Sequence, residues 1–186
     1  MSKLLRLCSW GLIVAPALGF ADGLSRLKLT EQTEIKAPPA KVWEMIKDFC
    51  SISKWHPAIA NCVSEGGSAA GAKRVLTLKQ EGNPRIDEEM LTYDETAMTF
   101  KYKIKKVDLK VLPVTSYSAF MTVKPNDQGG SIVFWNGGFY RGYPNNNPPP
   151  ELNDQAAIKA VTGIYQSGLA NLKKLAEANG VVRGGR

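Results

Sequence analysis

The residues of this chain best suited to acid–base chemistry are one histidine and one carboxylate. The sequence contains a single histidine, His56, which stands between Trp55 and Pro57. As a general base, its imidazole would need an oxygen partner to fix its tautomer, and Asp48 is the nearest carboxylate in the sequence. No nucleophile elbow, phosphate-binding glycine loop or metal-ligand spacing accompanies His56. We therefore favour a structural histidine at a turn over a catalytic one.

Strand alternation places the carboxylate, Glu88, inside the protein. Glu88 lies two residues from each of the apolar residues Ile86 and Met90, so the three side chains point to the same face of a strand. Arg74 has the same inward parity on the preceding strand, and the hairpin between the strands brings the two charges together. Two buried charges are tolerated only when they are paired. The pair is either a structural ion bridge or a polar anchor for a ligand, and Glu88 with His56 is a candidate acid–base pair.

The same alternation predicts an aromatic inner wall and a basic outer surface. Buried hydroxyl and indole groups need hydrogen-bond partners, which a bound ligand could supply. We therefore predict that the inward aromatic residues and the residues discussed above bind a ligand, with core packing as the alternative for each aromatic. The predicted ligand-binding set is Trp55, His56, Arg74, Glu88, Tyr102, Tyr117, Trp135 and Phe139. Three lysines point outward from one strand and are candidates for a partner surface: Lys101, Lys103 and Lys105.

Composition limits the classes of protein to which the chain can belong. It has 186 residues, of which 44% are hydrophobic and 22% charged, as expected for one globular domain. One histidine and three cysteines exclude a classical zinc cluster and a four-cysteine iron–sulfur site, so we predict no metal and no cofactor. The net charge of +7 suits an acidic partner, but the basic residues are dispersed and no nucleic-acid-binding motif is present.

Residues 1–21 have the organisation of a secretory signal peptide. Lys3 and Arg6 precede a short apolar run, residues 7–15, and Gly19 and Ala21 are the small residues of a cleavage site after Ala21. The run is shorter than the roughly 20 apolar residues that span a bilayer. We therefore predict an exported protein without a membrane span; the periplasm as its location is implied only by the resemblance described below.

Two cysteines follow the predicted signal, Cys50 and Cys62. In an oxidising compartment they could form a disulfide that closes a loop around Trp55 and His56, with a stabilisation of about 3 kcal/mol on the chain-entropy model. Two buried free thiols are the alternative, because the sequence does not report the separation of the Cα atoms.

The order of predicted elements indicates an α+β fold. A strand over residues 27–36 is followed by helices over 39–49 and 51–56, six strands joined by tight turns, and a long helix that begins near residue 154. Such strands form an antiparallel meander, and a curved sheet wrapped around the long helix buries both apolar faces. An internal cavity is expected between them. We assign residues 22–180 to this domain and residues 181–186 to a disordered tail.

Several short motifs occur in a recognisable order: Ala40-Lys41-Val42-Trp43, Asp48-Phe49, Trp55-His56-Pro57, Arg74-Val75-Leu76-Thr77-Leu78, Glu88 with Asp94, Leu112-Pro113-Val114, and Trp135 with Phe139. Together they resemble the START/Bet v 1-like superfamily, and within it the polyketide cyclase/dehydrase group. The resemblance implies a helix-grip fold with an internal cavity. An exported chain with this motif order is similar to the MxaD-type periplasmic accessory proteins of bacterial methanol oxidation.

The resemblance leaves three classes of function open, since this superfamily hosts all of them and a fold does not decide function. An accessory protein of the MxaD type would contact methanol dehydrogenase or its cytochrome acceptor through a basic surface, and this is the leading hypothesis. A carrier would hold a small apolar or amphipathic molecule in the cavity. A cyclase or dehydratase would use His56 and Glu88 as acid and base.

Overall fold

The chain folds as a curved antiparallel sheet of seven strands around one long helix, in a computed structural model that describes residues 24–178. The strands are β1 (Leu27–Ile35), β2 (Ile59–Glu65), β3 (Lys73–Leu78), β4 (Arg85–Asp94), β5 (Thr99–Lys106), β6 (Val114–Pro125) and β7 (Ser131–Arg141). Their order in the sheet is β1-β7-β6-β5-β4-β3-β2. The predicted α+β helix-grip architecture is confirmed. The predicted signal peptide and the tail lie outside the described residues.

Within the described residues the fold also has three α-helices, α1 (Pro39–Ile46), α2 (Ile52–Trp55) and α3 (Asp154–Ala178), and a short 3-10 helix, Pro150–Leu152. The helix α1 begins at a proline, as the sequence predicts, but ends at Ile46 rather than at Phe49. The reason is local, because the Asp48 carboxylate accepts a hydrogen bond of 2.7 Å from the backbone N–H of Cys50 and forms a turn there.

The long helix α3 buries one stripe against the concave face of the sheet. Its buried residues recur at spacings of three and four, as expected for an amphipathic helix: Ala157, Val161, Tyr165, Gly168, Leu169, Leu172 and Ala176. The opposing strands alternate between buried and exposed side chains, most regularly in β4 and β6. The core of the protein therefore lies between one face of the sheet and one face of α3.

A disulfide joins the helical segment to the edge of the sheet. Cys50 precedes α2, Cys62 lies on the edge strand β2, and their Cα atoms are 5.5 Å apart. Of the two states that the sequence leaves open, the structure contains the bridge. It holds α2, and with it His56, against the sheet.

Candidate ligand-binding cavity

A cavity of about 570 Å³ lies between α3, α2 and the concave face of the sheet. Its volume falls within the range of small-molecule pockets, roughly 300–1,000 Å³. Most of the wall is apolar: Ile52, Ala58, Ile59, Leu76, Leu78, Ile86, Ile104, Val111, Leu112, Ala156, Ala160, Val161 and Ile164. The polar groups that reach it are fewer: His56, Gln80, Glu88, Tyr102, Tyr117, Trp135, Lys159 and Ser167.

Five of the eight residues in the predicted ligand-binding set line this cavity: His56, Glu88, Tyr102, Tyr117 and Trp135. The other three, Trp55, Arg74 and Phe139, are buried behind the wall. Trp55 packs edge-to-face on Trp135, with ring centroids 5.7 Å apart. Phe139 stacks on Tyr117 at 5.9 Å. These three residues support the wall from behind. Arg74 and Phe139 have the inward parity of their strands, but parity does not determine how close a side chain comes to the cavity, and Trp55 lies on α2.

Arg74 and Glu88 form a buried ion pair. They lie directly opposite each other in the β3–β4 ladder, and Arg74 Nε donates to Glu88 Oε2 at 2.5 Å. Arg74 also donates to the carbonyl of Phe49, and its guanidinium covers the Phe49 ring at 4.0 Å. Burial raises the pKa of the Glu88 carboxyl, and the neighbouring guanidinium opposes that rise. Arg74 thus makes its hydrogen bonds to Glu88 and to the carbonyl of Phe49, while Glu88 also faces the cavity.

Both ring nitrogens of His56 are engaged by the main chain. Nδ1 accepts a hydrogen bond of 3.2 Å from the N–H of Ala58, so Nε2 carries the proton and donates to the carbonyl of Ile164 at 3.0 Å. Burial lowers the pKa of His56, which keeps the ring neutral. The predicted orienting partner, Asp48, instead caps the turn after α1. His56 therefore fastens α2 to α3 and has no nitrogen available for proton transfer.

The aromatic wall contains a chain of hydrogen bonds, here called the hydroxyl chain: Trp135, Tyr102, Tyr117 and Tyr165. Trp135 Nε1 donates to the Tyr102 hydroxyl at 3.0 Å, the Tyr102 and Tyr117 hydroxyls are 3.3 Å apart, and those of Tyr117 and Tyr165 are 2.5 Å apart. Burial raises the pKa of all three phenols, so each keeps its proton. The chain is fully inside the protein.

Sequence reasoning missed Tyr165, because its spacing in the long helix matches that of the apolar residues that pack against the sheet. The available signal was its phenol, since a buried tyrosine hydroxyl needs a partner. Its ring stacks on Trp135 with centroids 4.3 Å apart. Gly137 on β7 makes room for it, because a Cβ atom there would collide with the Tyr165 hydroxyl.

The three lysines of β5 differ in their surroundings. Lys103 and Lys105 both pair with Glu89 on β4, at 3.1 and 3.5 Å. Lys101 makes no ion pair with any residue between 24 and 178, and it lies opposite Phe120, whose side chain is 42% exposed. Lys101 is therefore the least compensated charge of the predicted partner surface.

The described residues contain neither a metal-binding cluster nor a membrane-spanning helix. Within 24–178, no group of three or more His, Cys, Asp or Glu side chains is arranged to hold a metal ion. No helix of that range combines the length and the apolar composition needed to cross a membrane.

A comparison with protein families identifies the relatives of this fold. The model of the family described as polyketide cyclase/dehydrase and lipid transport matches residues 26–177. The chain belongs to this family. No curated protein matches the chain significantly.

Solved structures similar to the chain share the fold of this family over most of their length. XoxI from Bacillus cereus has 28% identity and a TM-score of 0.66, covering 80% of this chain and 94% of that one. An uncharacterised protein from Bacillus thuringiensis has 26% identity and a TM-score of 0.67, covering 81% and 98%. A protein from Thermobifida fusca has 26% identity and a TM-score of 0.64, covering 86% and 97%.

Proposed function

We propose that the protein binds a small, largely apolar molecule in the cavity between the sheet and α3, and that it does so without catalysing a reaction. The observation that carries this proposal is the cavity itself, which combines a volume of about 570 Å³ with a mostly apolar wall. Membership of a family whose description includes lipid transport supports it. The ligand would gain free energy mainly by removing apolar surface from water.

The state of the two acid–base candidates supports a non-catalytic role. A general base needs a lone pair within reach of its substrate, but both nitrogens of His56 are held by main-chain groups. One oxygen of Glu88 is tied to Arg74. An enzyme that used this pair as acid and base would first have to break the contact between α2 and α3.

We expect Ala160→Trp to weaken ligand binding about tenfold or more, because the indole occupies cavity volume that the ligand needs. Ala160 lines the cavity from α3. The measurement is saturable binding of the neutral fluorophore N-phenylnaphthylamine, followed by its own emission, to the wild type and the variant. Ala170→Trp is the matched control, because Ala170 is exposed on the same helix and lies outside the cavity wall. Equal affinity of both variants would exclude the cavity as the binding site.

As a second role we propose that the protein acts in the periplasm as an accessory protein of the MxaD type. The similarity to XoxI from Bacillus cereus and the motif order support this proposal. The Cys50–Cys62 bridge supports export, since disulfides persist in oxidising compartments. Lys101 shares a shallow pocket of the outer sheet face with Arg26 and Lys28, which gives that face a basic character suited to an acidic partner.

We expect the combined change Lys101→Glu, Lys103→Glu and Lys105→Glu to weaken association with methanol dehydrogenase or its cytochrome and to reduce the dependence of that association on salt. Titration at several ionic strengths measures both effects. The control reverses three exposed lysines elsewhere, at Lys54, Lys79 and Lys174, with the same change in net charge. Unchanged binding of the first variant at low salt would rule out the β5 surface.

A further inference from the structure

The three phenols of the hydroxyl chain carry one more O–H proton than the chain has acceptors for. Its three phenols carry three O–H protons, but they form only two contacts with one another. The indole of Trp135 adds a further donor, which takes a lone pair of Tyr102. Among residues 24–178, no other acceptor lies within hydrogen-bonding distance of these three hydroxyls. One phenolic proton therefore has no acceptor in the described protein.

The position of the surplus proton follows from the neighbours of each phenol. Tyr165 does not line the cavity, and its only acceptor among the described residues is the Tyr117 oxygen, so its proton is used only when Tyr165 donates to Tyr117. Tyr102 and Tyr117 then have one contact between them and two protons. Whichever of the two donates along the chain, the other hydroxyl is free to donate into the cavity, because both residues line it.

We propose that the molecule bound in the cavity presents an uncharged oxygen acceptor, such as a carbonyl oxygen, to this surplus phenolic proton. This inference rests on the proposed ligand-binding function and adds the chemical class of the ligand. A buried donor without an acceptor is unfavourable, so a ligand that supplies one gains affinity that an equally large hydrocarbon does not.

The charges around the cavity indicate why the acceptor is uncharged. A buried carboxylate or phosphate needs a cation nearby. Arg74 lies behind the wall, where it is held by Glu88 and the carbonyl of Phe49, and both nitrogens of His56 are occupied. The cation that does line the cavity, Lys159, is exposed to solvent, and Glu88 would repel an anion. A ketone, an ester or an alcohol fits these conditions better than a fatty acid anion.

Three probes with the same number of carbons test the proposal: heptane, methyl pentyl ketone and heptanoate. Each is used to displace N-phenylnaphthylamine. The affinities of heptane and of the ketone are each divided by that compound's partition coefficient from water into hexadecane, whereas heptanoate, an anion that does not enter hexadecane, is compared by its affinity alone. We expect this ratio to be at least about tenfold higher for the ketone than for heptane, because hexadecane offers the carbonyl no donor. Equal ratios, or heptanoate as the tightest ligand, would overturn the inference while leaving cavity binding intact. Failure of every probe and of the fluorophore to bind would reject the proposed function as well.

The carbonyl stretch of the bound ketone gives a direct readout of the hydrogen bond. We expect its infrared frequency in the wild type to be lower than in hexane, and a frequency equal to that in hexane contradicts the proposal. Tyr102→Phe and Tyr117→Phe should each keep the lowered frequency, because the remaining hydroxyl still has a proton to donate. The double variant should lose the wild-type shift, and any smaller lowering that remains would come from the Trp135 indole N–H, which loses its acceptor in Tyr102→Phe and also lines the cavity. Tyr93→Phe combined with Tyr140→Phe is the control, since neither phenol lines the cavity. A folded double variant of Tyr102 and Tyr117 that keeps the wild-type frequency would overturn the assignment.

Discussion

Arg74→Met is expected to lower the free energy of unfolding by about 3–5 kcal/mol near neutral pH, because it leaves the Glu88 carboxylate buried without its partner. Glu88 is only 5% exposed and Arg74 only 3%, so solvent cannot replace the lost interaction. The variant also loses the cation that covers the Phe49 ring. Urea unfolding of the wild type and the variant measures the difference.

The loss of unfolding free energy caused by Arg74→Met should depend on pH. Burial raises the pKa of Glu88 above its value in the unfolded chain, and the variant loses the guanidinium that opposes this rise. A carboxyl with a raised pKa in the folded state holds its proton more tightly there, so it favours folding at low pH and loses that contribution as the pH rises through its folded pKa. The difference between wild type and variant should therefore be smallest below about pH 4.5 and largest near neutral pH.

A double variant separates the ion pair from simple loss of packing. Arg74→Met combined with Glu88→Gln removes both charges, and it should recover much of the stability that Arg74→Met loses. If the double variant were less stable than Arg74→Met alone, with the same dependence on pH, an unpaired Glu88 carboxylate would not be the cause of the destabilisation.

Gly168→Ala is expected to cost about 1–3 kcal/mol, because the added methyl group has no space between α3 and the wall of the cavity. A Cβ atom at this position would lie 2.5 Å from His56 Cδ2 and 3.0 Å from Trp135 Cζ3. Neither ring can move freely, since His56 is held by two main-chain hydrogen bonds and Trp135 by its bond to Tyr102. Thermal or urea unfolding measures the effect.

Gly163→Ala is the matched control for Gly168→Ala on the same helix. A Cβ atom at Gly163 would meet no atom within 4 Å, so the substitution should stabilise the protein by about 0.5–1 kcal/mol through helix propensity alone. Similar unfolding free energies for the two variants would contradict the close contact between α3, His56 and Trp135.

Much of the candidate site could be predicted from strand parity. Period-two alternation is sufficient to place Glu88, Tyr102, Tyr117 and Trp135 on the inner face, and all four line the cavity. The length of the hairpin brings Arg74 and Glu88 to opposite or neighbouring positions, and the structure places them directly opposite each other. Strand parity and hairpin length are properties of neighbouring residues, so both can be inferred from the sequence.

The remaining features depend on contacts that leave no pattern in the sequence. The partner of His56 Nε2 is a main-chain carbonyl 108 residues away, and every residue has such a carbonyl. Phe139 has the predicted parity but stacks behind Tyr117, because its distance from the cavity depends on where α3 lies. The pairing of Lys103 and Lys105 with Glu89 depends on the register of β4 against β5, which includes irregularities near Glu88 and Met90.

The most direct test of ligand binding in the cavity is native mass spectrometry of the protein isolated from its own cells. We predict a mass that exceeds the polypeptide by one small molecule, and the loss of that adduct in Ala160→Trp but not in Ala170→Trp. The same spectrum reports whether Cys50 and Cys62 are joined. A bare polypeptide mass for the wild type, unchanged after incubation with an apolar extract of the same cells, would contradict the proposal that the cavity binds a ligand.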